Sequence, residues 1–267
     1  MLAKGVRSDV SEVDPSVVSV SRRLHEDGGF VENFDAVVNE VPVAISFNAI
    51  SYAVMMATPA DLEDFIRGFA IGEGIVDGAR AIFDIEIKLG DVGVAVNATV
   101  SNETAHRLKS RRRSMAGPSG CGLCGIESIE HMTRDISRVQ PESLPSQAAL
   151  DKALSDMRRK QVVSQSTSGA HAAMWCDTDG NIVSLREDVG RHNALDKLIG
   201  WHSLKAANGF VLVSSRASYE MVAKAATAGI GVLAAVSAPT SMAIETAKEA
   251  NLKLIAFASS GRHALYS

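Results

Sequence analysis

Two of the three cysteines, Cys121 and Cys124, stand three positions apart in Gly117-Pro118-Ser119-Gly120-Cys121-Gly122-Leu123-Cys124-Gly125. Four glycines and a proline within nine residues leave this backbone too free to hold a helix or strand alone, so the segment reads as a loop. A zinc half-site would need two more ligands, but no second Cys-x-x-Cys or paired His follows, and only Cys176 remains. A thioredoxin-like redox pair should close a strand and open a helix, whereas this pair sits inside a loop. Two incidental thiols are disfavoured because free cysteine is usually buried. A nucleophilic thiol, by contrast, has a chemical neighbour. Arg107, Lys109, Arg111, Arg112 and Arg113 lie just upstream, and clustered cations stabilise a thiolate. With a pKa near ~8.5, only a few per cent of a thiol is ionised at neutral pH; lowering it by about one to two units makes the reactive form substantial. The same arginines suit bidentate phosphate contacts, and the bland alternative is a solvated helix face.

The elements that must position this loop follow from periodicity. Residues 1–38 lack a sustained pattern and read as a flexible arm. Val41 to Phe47 alternates as a strand, and Thr58-Pro59-Ala60-Asp61 places an N-cap, a first-turn proline and an acid before a helix through Leu62, Phe65, Ile66 and Phe69. Ala81–Ile87 and Val92–Val100 read as antiparallel strands, and Asn102–Arg113 as a polar helix. Helical spacing returns at Ile126, Ile129, Met132 and Ile136, and again at Leu150, Leu154 and Met157. Ala170–Cys176 and Ile182–Leu185 form an expected hairpin, followed by a helix through Ala194, Leu195 and Leu198. Strands at 210–213, 232–236 and 252–257 then alternate with helices at 219–228 and 241–250. Such a succession implies a parallel sheet whose ligand site lies beyond the carboxyl ends of its strands. Those ends carry Ser214, Ser215, Arg216, Ser237, Pro239, Thr240 and Ser259–Arg262. Among other polar residues, Asp188 reads as an acid opening a helix, His192 as a capping or ligand-contacting histidine, and His171 as a pocket or core residue.

A formal net charge of −4 argues against non-specific nucleic-acid binding. The first thirty residues hold no apolar run of signal-peptide length, and the most apolar window, Ala226–Ala238, is too short to span a bilayer. An odd number of cysteines, without the paired spacing of a secreted disulfide framework, points to free thiols in a reducing compartment, the cytoplasm, with no membrane partner.

The cysteine loop, together with Glu187-Asp188-Val189-Gly190-Arg191-His192-Asn193-Ala194-Leu195-Asp196-Lys197, resembles the FdhD family of formate dehydrogenase accessory sulfurtransferases. Met56 to Leu62, Gly68-Phe69, Glu73-Gly74-Ile75, Ser214 to Val222, Ser237 to Ser241 and Gly261-Arg262 extend the likeness in the same order, over roughly residues 38–267. Ala170, before His171, departs from it. The resemblance implies an α/β, cytidine-deaminase-like fold with a C-terminal parallel β-α-β-α-β half and an N-terminal α+β part, assembled as a homodimer. The corresponding division is a flexible arm at 1–38, an α+β subdomain at 39–116, a mobile Cys-x-x-Cys loop at 117–125 and the α/β domain at 126–267.

It further implies a sulfurtransferase that accepts sulfur from a cysteine desulfurase as a cysteine persulfide. The sulfur passes to the molybdenum bis-(molybdopterin guanine dinucleotide) cofactor needed by the formate dehydrogenase apoenzyme. By position, Cys121 carries the persulfide and Cys124 is its neighbour; Phe257, Ala258, Ser259, Ser260, Gly261 and Arg262 match a cofactor-binding segment, for which GDP is a mimic. No resident metal is implied. A strand ending in small residues and then Gly-Arg is compatible with close approach to a nucleotide. The rival class is a chaperone that holds cofactor or apoenzyme without sulfur chemistry. A zinc deaminase would need His-x-Glu followed by Pro-Cys-x-x-Cys, which the chain lacks.

If the basic run activates the thiol, replacing Arg111, Arg112 and Arg113 together by Gln slows iodoacetamide alkylation of Cys121 and shifts its pH profile upward. Superimposable rate profiles for native and variant proteins would remove that role from the run.

Overall fold

The computed structural model describes residues 15–26, 29–114, 136, 138–205 and 208–267. The loop 117–125 with Cys121 and Cys124, and the apolar repeat at Ile126, Ile129 and Met132, lie outside the described residues. Among those described, the N-terminal part begins with β1 (Val17–Glu26) and β2 (Gly29–Val38), an antiparallel hairpin. Residues 17–26 and 29–38 of the expected arm are thus paired strands. Neither face of this ribbon has the alternation that marks a strand on a core. Its large apolar residues, Phe34 among them, stay exposed, and Arg22 and Asp35 pair across the strands at 2.6 Å.

Next come β3 (Val41–Phe47), β4 (Ile50–Ala57), α1 (Leu62–Gly72), β5 (Ile82–Leu89), β6 (Val94–Val100) and α2 (Asn102–Ser114). They build a four-stranded sheet in the order β4-β3-β6-β5, in which β3 and β6 are parallel and the outer pairs antiparallel. Strand β4 was not anticipated. The alternating burial of Val43, Ile45 and Phe47 on β3, and of Val94, Val96 and Ala98 on β6, turns one face toward α1.

The second half contains α3 (Gln147–Lys160), α4 (Val162–Thr167), β7 (His171–Cys176), β8 (Ile182–Asp188), α5 (Arg191–His202), β9 (Phe210–Val213), α6 (Tyr219–Thr227), β10 (Val232–Ala235), α7 (Ser241–Glu249), β11 (Lys253–Ser259) and β12 (Arg262–Leu265). Its strands form a six-stranded sheet in the order β12-β11-β10-β9-β7-β8. The expected parallel β9-α6-β10-α7-β11 unit is present, flanked by antiparallel β12 on one side and the β7–β8 hairpin on the other. Period-two burial divides the side chains between two cores. Ala173, Trp175, Val211, Val213 and Leu233 face α5 and α6, while Ala172, Met174, Phe210, Leu212 and Ile255 face α3, where Leu150 and Ala153 close the layer.

Helix α1 lies between the small sheet and α5, and glycines set the spacing. A Cβ on Gly68 would stand 1.6 Å from the Asp196 carbonyl oxygen, and one on Gly200 would stand 1.9 Å from that of Asp64. The two backbones therefore touch where any side chain would intrude. Gly68→Ala should destabilise the fold by roughly 1–3 kcal/mol or more, the cost of overpacking a tight contact. Urea unfolding measures this, and an unchanged midpoint would refute it.

Candidate functional site

The carboxyl ends of β9, β10 and β11 share one edge with the start of β7, because β7 runs antiparallel to β9. His171 opens β7 and pairs in register with Asp188, the last residue of β8, so the first turn of α5, carrying Arg191 and His192, starts at the same edge. Several of the serines and threonines expected there serve the scaffold. The Ser214 hydroxyl accepts from the Ala172 amide at 2.9 Å, and Thr240 caps α7 by accepting from the Ala243 amide at 3.2 Å.

Asp188 and Lys197 form a fully buried ion pair, Nζ to Oδ2 at 2.7 Å. The carboxylate also accepts from the Thr58 amide at 3.0 Å, the Gly190 amide at 2.8 Å and the Asn193 side chain at 2.9 Å. Lys197 in turn donates to the Thr58 carbonyl at 2.9 Å, and the Thr58 hydroxyl accepts from the Val189 amide at 3.1 Å. Thr58 is therefore not the N-cap of α1. Asp61 holds that position in a left-handed conformation (φ 53°), while the threonine joins the N-terminal sheet to α5. The preceding Glu187 uses its carboxylate to accept from the amides of Val163 and Ser164 at the start of α4. The acidic residues of this stretch are thus structural.

His192 Nε2 lies 2.8 Å from Glu220 Oε2 on α6, with Ser218 Oγ at 3.4 Å. The hydrogen bond to His192 holds the Glu220 carboxyl below the usual glutamate range. Burial, and then the charges of Arg191 and His192, push the His171 imidazole below its ordinary value. Arg191 Nε is buried without a hydrogen-bond partner among the described residues. Glu220 had no role assigned from sequence. Its partner lies 28 residues away, and no local spacing signals a contact between two helix starts.

The segment Phe257–Arg262 spans the end of β11 and the turn into β12. Phe257 sits in a register shift of the ladder with φ 52°, a strained conformation for an aromatic residue, and is exposed. Gly261 occupies the turn at φ 70° and donates its amide to Asp151 of α3 at 2.8 Å. Arg262 is exposed. Of the upstream cations, Arg107 is committed to the Ile75 carbonyl at 2.9 Å, whereas Arg111–Arg113 fall in the last turn of α2. Cys176 lies buried within β7, its thiol pushed up to about 12 by burial, so it is a core residue without nucleophilic character. Among the described residues no three His, Cys, Asp or Glu gather as a metal site requires, and no helix is long and apolar enough to cross a membrane.

Fold and site together define an α/β protein with cations along the edge at the ends of a parallel β-α-β-α-β unit. Residues 38–267 match the FdhD/NarQ family, and the chain belongs to that family. It is 48% identical over 236 residues to the sulfur carrier protein FdhD of Cupriavidus necator, covering 87% of this chain and 82% of that one. The protein of the same name from Acinetobacter baylyi is 47% identical over 238 residues, covering 88% and 87%. A crystal structure from Desulfotalea psychrophila, assigned as a formate dehydrogenase accessory protein, superposes with a TM-score of 0.74 at 23% identity. That match covers 95% of this chain and 97% of that one, and it establishes the shared fold.

Removing one member of the buried pair leaves an uncompensated charge, which typically costs about 3–5 kcal/mol. Lys197→Met should therefore lower stability by that order and loosen the junction between α5 and the Thr58 turn. Native-like stability of the variant in denaturant titration would show that Asp188 is satisfied without its ammonium partner.

Proposed function

We propose that this chain is a sulfur carrier serving formate dehydrogenase, with Cys121 as the carrying thiol. The observation that carries the reading is the presence of Cys121 and Cys124 in a chain nearly half identical, over most of its length, to proteins named sulfur carrier protein FdhD. In this scheme the Cys121 thiolate attacks the outer sulfur of a persulfide on a cysteine desulfurase. The donor cysteine leaves as a thiolate, and Cys121 holds the sulfur as its own persulfide. The acceptor is the molybdenum bis-(molybdopterin guanine dinucleotide) cofactor destined for the dehydrogenase, and both exchanges take place in the cytoplasm between a homodimeric carrier and its partners. The cytidine-deaminase-like description of the fold belongs to the same reading, supported by the mixed six-stranded sheet with helices on both faces.

Phe257–Arg262 is the nucleotide end of this proposed site. An exposed aromatic ring offers a stacking surface for a purine, and a neighbouring arginine offers charge-assisted hydrogen bonds to phosphate. Strain at Phe257 supports a functional position, since such backbone conformations cluster at ligand sites.

Incubation with a cysteine desulfurase and cysteine should add one reducible sulfur to the intact mass, mapping to Cys121 and absent from Cys121→Ala. GDP should bind the native protein and Cys121→Ala equally, and Arg262→Ala more weakly by roughly 1.5–3 kcal/mol, the worth of a charge-assisted hydrogen bond. A formate dehydrogenase left fully active by Cys121→Ala would replace the carrier reading with a cofactor-holding chaperone.

A further inference from the structure

Both carboxylates at the start of α5 and α6 are already engaged. Asp188 is paired with Lys197 and accepts from three further donors, and Glu220 is hydrogen-bonded to His192. The arginines beside them keep hydrogen-bond donors to spare. Arg191 keeps a buried Nε with nothing to donate to among the described residues. Arg216 follows the end of β9, two residues before the Ser218 that approaches His192, and makes no ion pair among the described residues. His171 stands at the start of the neighbouring strand, on the side of the sheet that faces α5.

We propose that His171, Arg191 and Arg216 form an anion subsite that takes a phosphate or pyrophosphate group, distinct from the Phe257–Arg262 segment. Guanidinium groups with donors to spare at a strand edge are suited to phosphoryl oxygens, which accept bidentate hydrogen bonds. A buried Nε without an acceptor is a cost that a bound oxyanion removes. Burial, and after it the charges of Arg191 and His192, depress His171; the oxyanion offsets the charge part, so binding should raise the imidazole toward its ordinary range.

Strand order gives the spacing. Arg262 begins β12 and His171 begins β7, four strand spacings apart in the order β12-β11-β10-β9-β7, or roughly 19 Å at about 4.8 Å per strand. One phosphate cannot touch both ends. If the nucleotide end binds at Phe257–Arg262, as proposed above, this subsite takes a second anionic group of an elongated ligand; that assignment rests on the nucleotide reading, whereas the anion site itself does not.

Inorganic pyrophosphate is the probe, followed by calorimetry on the full chain and by NMR titration of the His171 imidazole. Pyrophosphate should bind the native protein and raise the His171 pKa. Arg191→Gln should weaken binding at least tenfold, Arg191→Lys should recover part of it, and Arg158→Gln, a surface change on α3, should leave it unchanged. Should Arg191→Gln fail to fold, Arg216→Gln and the native His171 titration carry the same test. Absence of pyrophosphate binding, or a His171 titration that ignores pyrophosphate, overturns the proposal, as does equal affinity in the native and Gln variants. GDP affinity insensitive to Arg262→Ala while pyrophosphate affinity depends on Arg191 would sink only the nucleotide reading; the reverse pattern would sink only the subsite.

Discussion

The buried pair of Asp188 and Lys197 is the constraint on which the arrangement of the edge depends. Taking a carboxylate and an ammonium out of water costs several kcal/mol for each ion, and such a pair persists only when its remaining hydrogen-bonding capacity is filled. Here the Thr58 and Gly190 amides and the Asn193 side chain complete the carboxylate, and the Thr58 carbonyl takes a proton of the ammonium. These partners come from the end of the N-terminal sheet, the β8–α5 turn and α5 itself. None of the three can shift without leaving a buried charge unsatisfied. Arg191 and His192 sit between the pair's two members in sequence, so their positions at the strand edge are inherited from it.

A second set of charges locks the layers beyond that point. Lys224 of α6 bonds both oxygens of Asp196 on α5, at 2.8 and 2.9 Å, and reaches Glu73 at the end of α1 at 3.0 Å. Burial raises Asp196 to about 6, and burial also works against the Lys224 ammonium but loses to the charges of Asp196 and Glu73, which hold it above its usual value. Arg186 of β8 pairs with Asp64 at the start of α1 at 2.6 Å. Together with the glycine contact between α1 and α5, these pairs fix how the small sheet and its helix dock on the larger one. Geometry at this interface is stricter than apolar packing alone would make it, because a displaced charge is costly where a displaced methyl group is not.

The proposed sites lie where that strictness leaves cations over. The chain as a whole is mildly acidic, yet the described carboxylates nearest the α5 start are consumed internally, and Arg191, Arg216 and Arg262 remain along one sheet edge. An edge of this kind suits the extended anionic ligand proposed above. The proposed carrier chemistry at Cys121 then needs only a segment that can approach the same edge.

The sequence by itself determined the local elements with strong periodicity. The strands at Val41–Phe47 and Phe210–Val213, the helices at Leu62, Leu150, Leu195, Tyr219 and Ser241, and the parallel succession of the second half followed from apolar spacing, because burial on one face leaves a period in the chain. What only the tertiary structure decided are contacts between residues far apart in sequence. Thr58 looked like a helix cap, yet it was recruited 130 residues away by Asp188. Glu220 carried no local sign of pairing with His192, and the hairpin over residues 17–38 lacks a buried face to imprint a pattern. The physical reason is common to all three: a hydrogen bond or ion pair leaves no periodic trace in the chain, so it becomes visible only when folding brings its two ends together.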